Sequence, residues 1–145
     1  MVKYSVVVAQ NEAAAMGRAL EISTKHSAEV CALIRGKPLE IAKGLLREVI
    51  AQKRAVPYRR SRRDLAHKKG IAAGRYPVKT CAKILELLEL AEANAQFKGL
   101  PIADLFVKHI ASHRGPKIPK SGRKPGRVSK RAHIEVVLAA RQEQK

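Results

Sequence analysis

Hydrophobic positions recur along this chain with helical and then strand periods, broken by two long stretches that have neither. "TKHSAEVCALIR" sets Val30, Leu33 and Ile34 in one stripe, with Ser23 ahead as an N-cap and Gly36 behind as a C′ stop, which predicts a first helix. Pro38 suits the first turn of a second helix running to about Gln52, with Leu39, Ala42, Leu46 and Val49 on one face. Pro77 opens a third helix to about Phe97, with Val78, Cys81, Leu85 and Leu88 on its buried face and Gly99 closing it. Further on, "LFVKHIAS" offers Leu105 and Val107, or Phe106 and Ile110, to a core. "HIEVVL" alternates Ile134, Val136 and Leu138, so both runs fit half-buried strands.

Two segments near the start stay open. "YSVVVA" (4–9) is rich in valine and fits a short strand or an extended arm. Residues 13–22 are ambiguous: alanine propensity favours helix, while Met16, Arg18, Leu20 and Ile22 do not alternate cleanly.

The two interruptions carry the charge. Residues 53–76 hold nine positive side chains against Asp64 alone, and Pro57, Gly70 and Gly74 punctuate them. Residues 113–133, "HRGPKIPKSGRKPGRVSKRAH", hold eight Lys or Arg and no acid. This second stretch lies between two strands, so pairing them makes an antiparallel hairpin over 105–138 with the basic segment at its far end. Arms of about 17 residues would reach up to ~55 Å if extended throughout. Pro116, Pro119 and Pro125 cannot donate to a ladder, so regular pairing is expected to fail toward the tip, where bound phosphates would supply the order.

Composition sharpens this. A chain of 145 residues is the size of one domain, and 46% hydrophobic residues suffice for a core, which must be aliphatic because aromatics are 3%. Thirty basic residues against twelve acidic ones leave +18, with a pI near 10.5; charge on that scale implies a polyanionic partner, nucleic acid first. Glu29, Glu40, Glu48, Glu86, Glu89 and Glu92 lie on the helices, where they can pair with neighbouring Lys and Arg. The excess therefore belongs to the two interruptions, a basic loop at 53–76 and the hairpin. The candidate contacts in the loop are Arg59, Arg60, Arg62, Arg63, Lys68, Lys69 and Arg75, with Tyr58 and Tyr76 flanking as stacking surfaces. Those in the hairpin are Arg114, Lys117, Lys120, Arg123, Lys124, Arg127, Lys130 and Arg131.

Other chemistry has little support. No apolar run approaches the roughly 18 residues that span a bilayer and no leader pattern opens the chain, so no membrane partner and a cytoplasmic location are expected. Cys31 and Cys81 lie in helical patterns and fit buried small hydrophobes better than a disulfide or zinc framework. His109 and His113 stand four apart on a strand, roughly 13 Å, too far for one metal by themselves, though Glu135 and His133 can approach across the hairpin. A metal-assisted nuclease built on those histidines is a distant alternative, and a free-standing nucleic-acid binder a nearer one. No enzyme activity, metal or cofactor is expected.

"ISTKHSAEVCALIRGKPLEIAKGLL", "VPYRR", "GRYPVKTCAKILELLELAEANAQFKGL" and "HIEVVL" together resemble, in order and spacing, the universal large-subunit ribosomal protein family L twenty-two in its archaeal form. The resemblance covers about residues 4–140. It implies an α+β fold, a small antiparallel sheet packed against three helices with a long protruding β-hairpin, and a strand where residues 13–22 stand. It implies a non-catalytic protein that binds large-subunit rRNA, supports subunit assembly, adjoins neighbouring large-subunit proteins and meets the nascent polypeptide where its hairpin lines the exit tunnel. By position it adds Lys25 and His26 to the rRNA contacts. The tip, "GRKPGRVSK" (122–130), is shorter than the family's by several residues.

Overall fold

The computed structural model describes residues 4–123 and 126–141. Among them the order of elements is β1 (Glu12–Leu20), α1 (Thr24–Ile34), α2 (Leu39–Ile50), β2 (Val56–Pro57), β3 (His67–Lys68), β4 (Ala72–Arg75), α3 (Val78–Phe97), β5 (Leu105–Arg114), β6 (Ile118–Pro119), β7 (Val128–Ser129) and β8 (Ala132–Ala140). Three helices with small antiparallel sheets make the α+β architecture that the resemblance implies.

Alanine's helix propensity loses to tertiary packing in β1. Its Ala13 and Ala15 are buried beneath α3, which lies so close that a Cβ on Gly17 would stand 2.9 Å from Leu87 Cδ1. Only small side chains fit there. Two α3 side chains then satisfy carbonyls of this edge strand: Asn94 Nδ2 donates to Ala14 O at 2.9 Å and Lys98 Nζ to Glu12 O at 2.7 Å.

The main sheet runs β1-β8-β5, every pair antiparallel. Central β8 puts Ile134, Val136 and Leu138 into the core with Val30 and Ile34 of α1, Leu46 and Val49 of α2, and Ile84 and Leu88 of α3. On β5 the apolar phase slips at a bulge between Val107 and His109, so Leu105, Val107 and Ile110 are all buried and each of the two expected faces supplies part of the core. The open edge of β5 is covered by the α1–α2 connection: Gly36 N donates to Val107 O and Val107 N to Lys37 O, each at 2.9 Å. Gly36 makes that turn at φ +73, the left-handed conformation expected of a C′ glycine.

Local expectations shift in three places. Ser23 occupies the N-cap position of α1 with extended backbone, but its side chain makes no capping bond; Ser27 Oγ instead donates to Ser23 O at 2.9 Å. The buried stripe of α3 comprises Thr80, Cys81, Ile84, Leu87, Leu88, Ala91 and Ala95, with Val78 and Leu85 only half-buried at its border. A 3.6-residue period carried over twenty residues rotates the stripe, and the two small alanines continue it. Cys31 and Cys81 are buried as expected, and burial pushes both thiols up to about 12.

Residues 4–11 form an arm, not a strand, because the polar groups of Ser5 are committed to a side chain instead of a ladder. Ser5 N donates to Glu135 Oε2 at 2.9 Å and Ser5 Oγ bonds Oε1 of the same carboxylate. His109 Nε2 and His113 Nε2 reach that Oε1 at 3.0 and 3.1 Å. Burial alone would push the Glu135 carboxyl up, but these hydrogen bonds outweigh it and bring it from 4.5 down to about 2. A carboxyl depressed by folding stabilises the native state fully above its unfolded value and loses that contribution as pH falls through the folded one. The stability difference between wild type and Glu135→Gln is therefore expected to shrink as pH falls from 4.5 to 2. Urea unfolding across that range checks it, and a difference independent of pH would contradict the assignment.

Candidate nucleic-acid interface

Residues 53–76 are not the structureless loop their failed periodicity suggests. They fold into a small sheet ordered β2-β4-β3, with Val56 opposite Arg75, Pro57 opposite Gly74, His67 opposite Ala73 and Lys68 opposite Ala72. Strands of two to four residues are too short to show a period. Tyr58 faces inward: it is 3% exposed, meets His26 edge-on at 5.6 Å, and burial pushes its phenol up to about 12. It belongs to the core and offers no stacking surface, whereas Tyr76 keeps a partly open ring with Lys68 Nζ 5.7 Å from its centroid.

The residue that organises the arginine run is an acid. Glu29 on α1 is 4% exposed, and its carboxylate accepts three successive backbone N–H groups, Arg59 at 3.1 Å, Arg60 at 3.0 Å and Ser61 at 2.7 Å. This departs from the expected pairing of Glu29 with a neighbouring Lys or Arg side chain. The other helical glutamates do pair that way, Glu92 and Glu40 with Lys43, Glu89 with Arg47, Glu48 with Arg54 and Glu86 with Lys83. The turn so held ends at Arg62, whose φ of +57 is rare outside glycine. Nothing in the local pattern distinguishes Glu29 from the other helical glutamates, so it was not expected in this role.

The candidate cations divide by location. Lys25, Arg62, Arg114, Lys117, Lys130 and Arg131 line one cleft of about 280 Å³ together with Ser23 and Thr24, and none of its lining residues is acidic. Residues far apart in sequence thus converge: the start of α1, the arginine turn and the neck of the hairpin. The first turn of α1 adds uncapped N–H groups and the positive end of the helix dipole. His26 records this crowding, since burial first, and then the charges of Arg62, Arg75 and Lys130, hold its imidazole below the usual 6.5.

The neck needs Gly115. A Cβ there would sit 2.8 Å from the carbonyl carbon of Arg131 and 2.9 Å from its oxygen. Gly115 N donates to Arg131 O at 3.0 Å; beyond it Ile118 pairs with Ser129 and Pro119 with Val128, and Lys120 N reaches Arg127 O at 2.9 Å. The ladder breaks after Arg114, where Pro116 intervenes, and resumes at β6 and β7, farther out than the prolines suggested. Arg131 is also a structural residue, its Nη1 2.8 Å from Glu21 Oε1 and 3.4 Å from Ala19 O.

The remaining candidates stand outside the cleft. Arg59, Arg60, Arg63, Lys69 and Arg75 are exposed around the small sheet, with Arg63 Nε donating to Arg59 O at 2.6 Å, while Lys68 is half-buried. Lys120, Arg123 and Arg127 are exposed past the neck, and Lys124 lies outside the described residues. Contrary to the spacing argument, the side chains of His109 and His113 do converge, on Glu135; His133 is engaged elsewhere, its Nδ1 accepting from Ala19 N at 3.1 Å.

Replacing Glu29 with Ala strips the acceptor from three N–H groups, which is expected to cost about 1–3 kcal/mol of stability and to hasten tryptic cleavage at Arg59, Arg60, Arg62 and Arg63. Urea unfolding and a timed digest read the two effects. An unchanged midpoint with an equally resistant loop would contradict the clamp.

Comparison with known proteins adds an independent line. A family model described as "Ribosomal protein L22p/L17e" matches residues 15–139. The large ribosomal subunit protein uL22 of Methanopyrus kandleri is 43% identical over 141 residues, covering 91% of this chain and 89% of its own length. The protein of that name from Archaeoglobus fulgidus is 39% identical over 137 residues (89% and 88%), and that from Ignicoccus hospitalis 43% over 128 residues (81% and 80%). With the α+β fold and most of its length matched, the chain belongs to the ribosomal protein L22p/L17e family.

Proposed function

We propose that this chain is a structural, non-enzymatic component of the large ribosomal subunit that binds large-subunit rRNA. The family it belongs to and the uL22 names of its archaeal relatives support the ribosomal role. The observation that carries RNA binding is the acid-free cleft, where six cations from three separate segments share about 280 Å³. Like charges brought this close repel one another, and that repulsion is relieved when phosphates enter. Arg62 and Arg114 offer planar forks suited to paired phosphate oxygens, and Lys25, Lys117 and Lys130 act as point charges. Such a site reads backbone geometry and leaves base identity aside.

On this reading residues 105–138 act as one extension. The cleft grips rRNA at its neck, and the exposed outer part, from Ile118 to Arg123 and at Gly126 and Arg127, runs on between RNA strands to line the polypeptide exit tunnel and meet the nascent chain. Arg59, Arg60, Arg63, Lys69 and Arg75 hold a second stretch of rRNA around the small sheet. Neighbouring large-subunit proteins adjoin the helical side, and the cytoplasmic ribosome is the site of action.

The salt dependence of binding tests this. Exchanging Lys25, Arg62, Lys117 and Lys130 together for Gln removes four phosphate contacts. The slope of log K against log[salt] for a large-subunit rRNA fragment is then expected to become shallower by about 3, at 0.7–0.9 per contact. Filter binding from 50 to 400 mM KCl measures it. An unchanged slope would place the interface elsewhere.

A further inference from the structure

A second recess, of about 390 Å³, is lined by His26, Gln52, Lys68, Arg75 and Tyr76 together with Ala66, Gly74 and Pro77. Its size falls in the range of small-ligand sites. Its chemistry differs from that of the cleft, whose lining holds six cations and no aromatic ring. Here two flat rings meet an amide. Tyr76 is 36% exposed, enough to leave ring surface open to the recess. His26 is half-buried, with Tyr58 packed edge-on at 5.6 Å, so its ring is braced from within. Because its imidazole is held below its usual value, it is uncharged at neutral pH and presents one donor and one acceptor nitrogen. Gln52 adds an amide with the same dual capacity, carried on a turn at φ +58 that closes α2. Lys68, 5.7 Å from the Tyr76 ring centroid, and exposed Arg75 supply positive charge beside the rings.

We infer that this recess takes one unstacked nucleobase of a single-stranded RNA segment, stacked on Tyr76, with its edge toward His26 and Gln52 and its phosphate on Arg75 and Lys68. Base stacking on an aromatic face, combined with hydrogen bonds to the base edge, is how single-stranded RNA is read, whereas a paired helix presents shape and phosphates. The recess brings His26 of α1 together with the "GRYP" that leads into α3, and neither ring has a role in phosphate binding by the cleft. The inference rests on the RNA-binding function proposed above and adds to it the kind of RNA feature recognised.

Two measurements on the full chain test it. The first compares binding of an eight-nucleotide single-stranded RNA and of a fully paired duplex of the same length, for wild type, Tyr76→Leu and Tyr76→Phe. Tyr76→Leu is expected to weaken single-strand binding roughly tenfold or more, with duplex binding and the salt slope unchanged, and Tyr76→Phe to retain affinity. The second needs no variant: a single-stranded RNA carrying 5-iodouridine is photo-crosslinked to wild type and the site mapped by mass spectrometry, with the label expected on Tyr76 or His26. Equal loss for both RNAs, no loss with Tyr76→Leu, or crosslinks confined to residues outside the recess would overturn the base site while leaving phosphate binding in the cleft intact. Failure of wild type to bind either RNA would overturn the RNA-binding function and the base site with it.

Discussion

A single buried carboxylate holds the most positively charged turn of this protein in place. Glu29 accepts the backbone N–H groups of Arg59, Arg60 and Ser61, and so anchors the arginine run without using any of its guanidinium groups. That distinction governs what the surface can do. An arginine tied down through its side chain, as Arg131 is by Glu21, has given part of its charge to the fold. One held through its main chain keeps its whole fork for a ligand. In a chain with a net +18, the arrangement lets positive groups be concentrated without being neutralised.

The rest of the fold sets the distance between those groups. The β1-β8-β5 sheet carries the hairpin neck to the same end of the domain as the start of α1, and the contacts of Arg131 with Ala19 and Glu21 tie the neck to the end of β1 and the turn that follows it. Gly115 lets the two hairpin arms approach until a side chain would clash with the opposite backbone. Most helical glutamates pair with nearby Lys or Arg, as Glu92 does with Lys43 between α2 and α3, while no acid lines the cleft. The uneven charge along the sequence is therefore kept in the fold.

Much of this was legible in the residues, and the failures have identifiable causes. The helices were readable because apolar stripes, prolines and glycines agree; Leu39, Ala42, Leu46 and Val49 are all buried where the period puts them. In α3 Cys81 and Leu88 lie in the buried stripe where the pattern puts them, whereas Val78 and Leu85 fall at its border and the less hydrophobic Ala91 and Ala95 continue it. Residues 12–20 misled propensity because their alanines serve close packing under α3, a tertiary fact that no local window contains. Tyr58 suggests a stacking surface in sequence because a tyrosine beside arginines looks the same whether its ring points in or out. The basic clusters are visible as composition, but their meeting in one cleft joins segments between 37 and 106 residues apart in the chain, which only the folded topology supplies.

The central claim is that Lys25, Arg62 and the hairpin neck form one phosphate-binding cleft in the assembled particle. A density map of the large ribosomal subunit containing this protein tests it most directly. The account predicts rRNA backbone phosphates within hydrogen-bond distance of Lys25, Arg62, Arg114 and Lys130, with residues 118–123 continuing inward between RNA strands. A cleft facing open solvent, or filled by a protein segment instead of RNA, would contradict it.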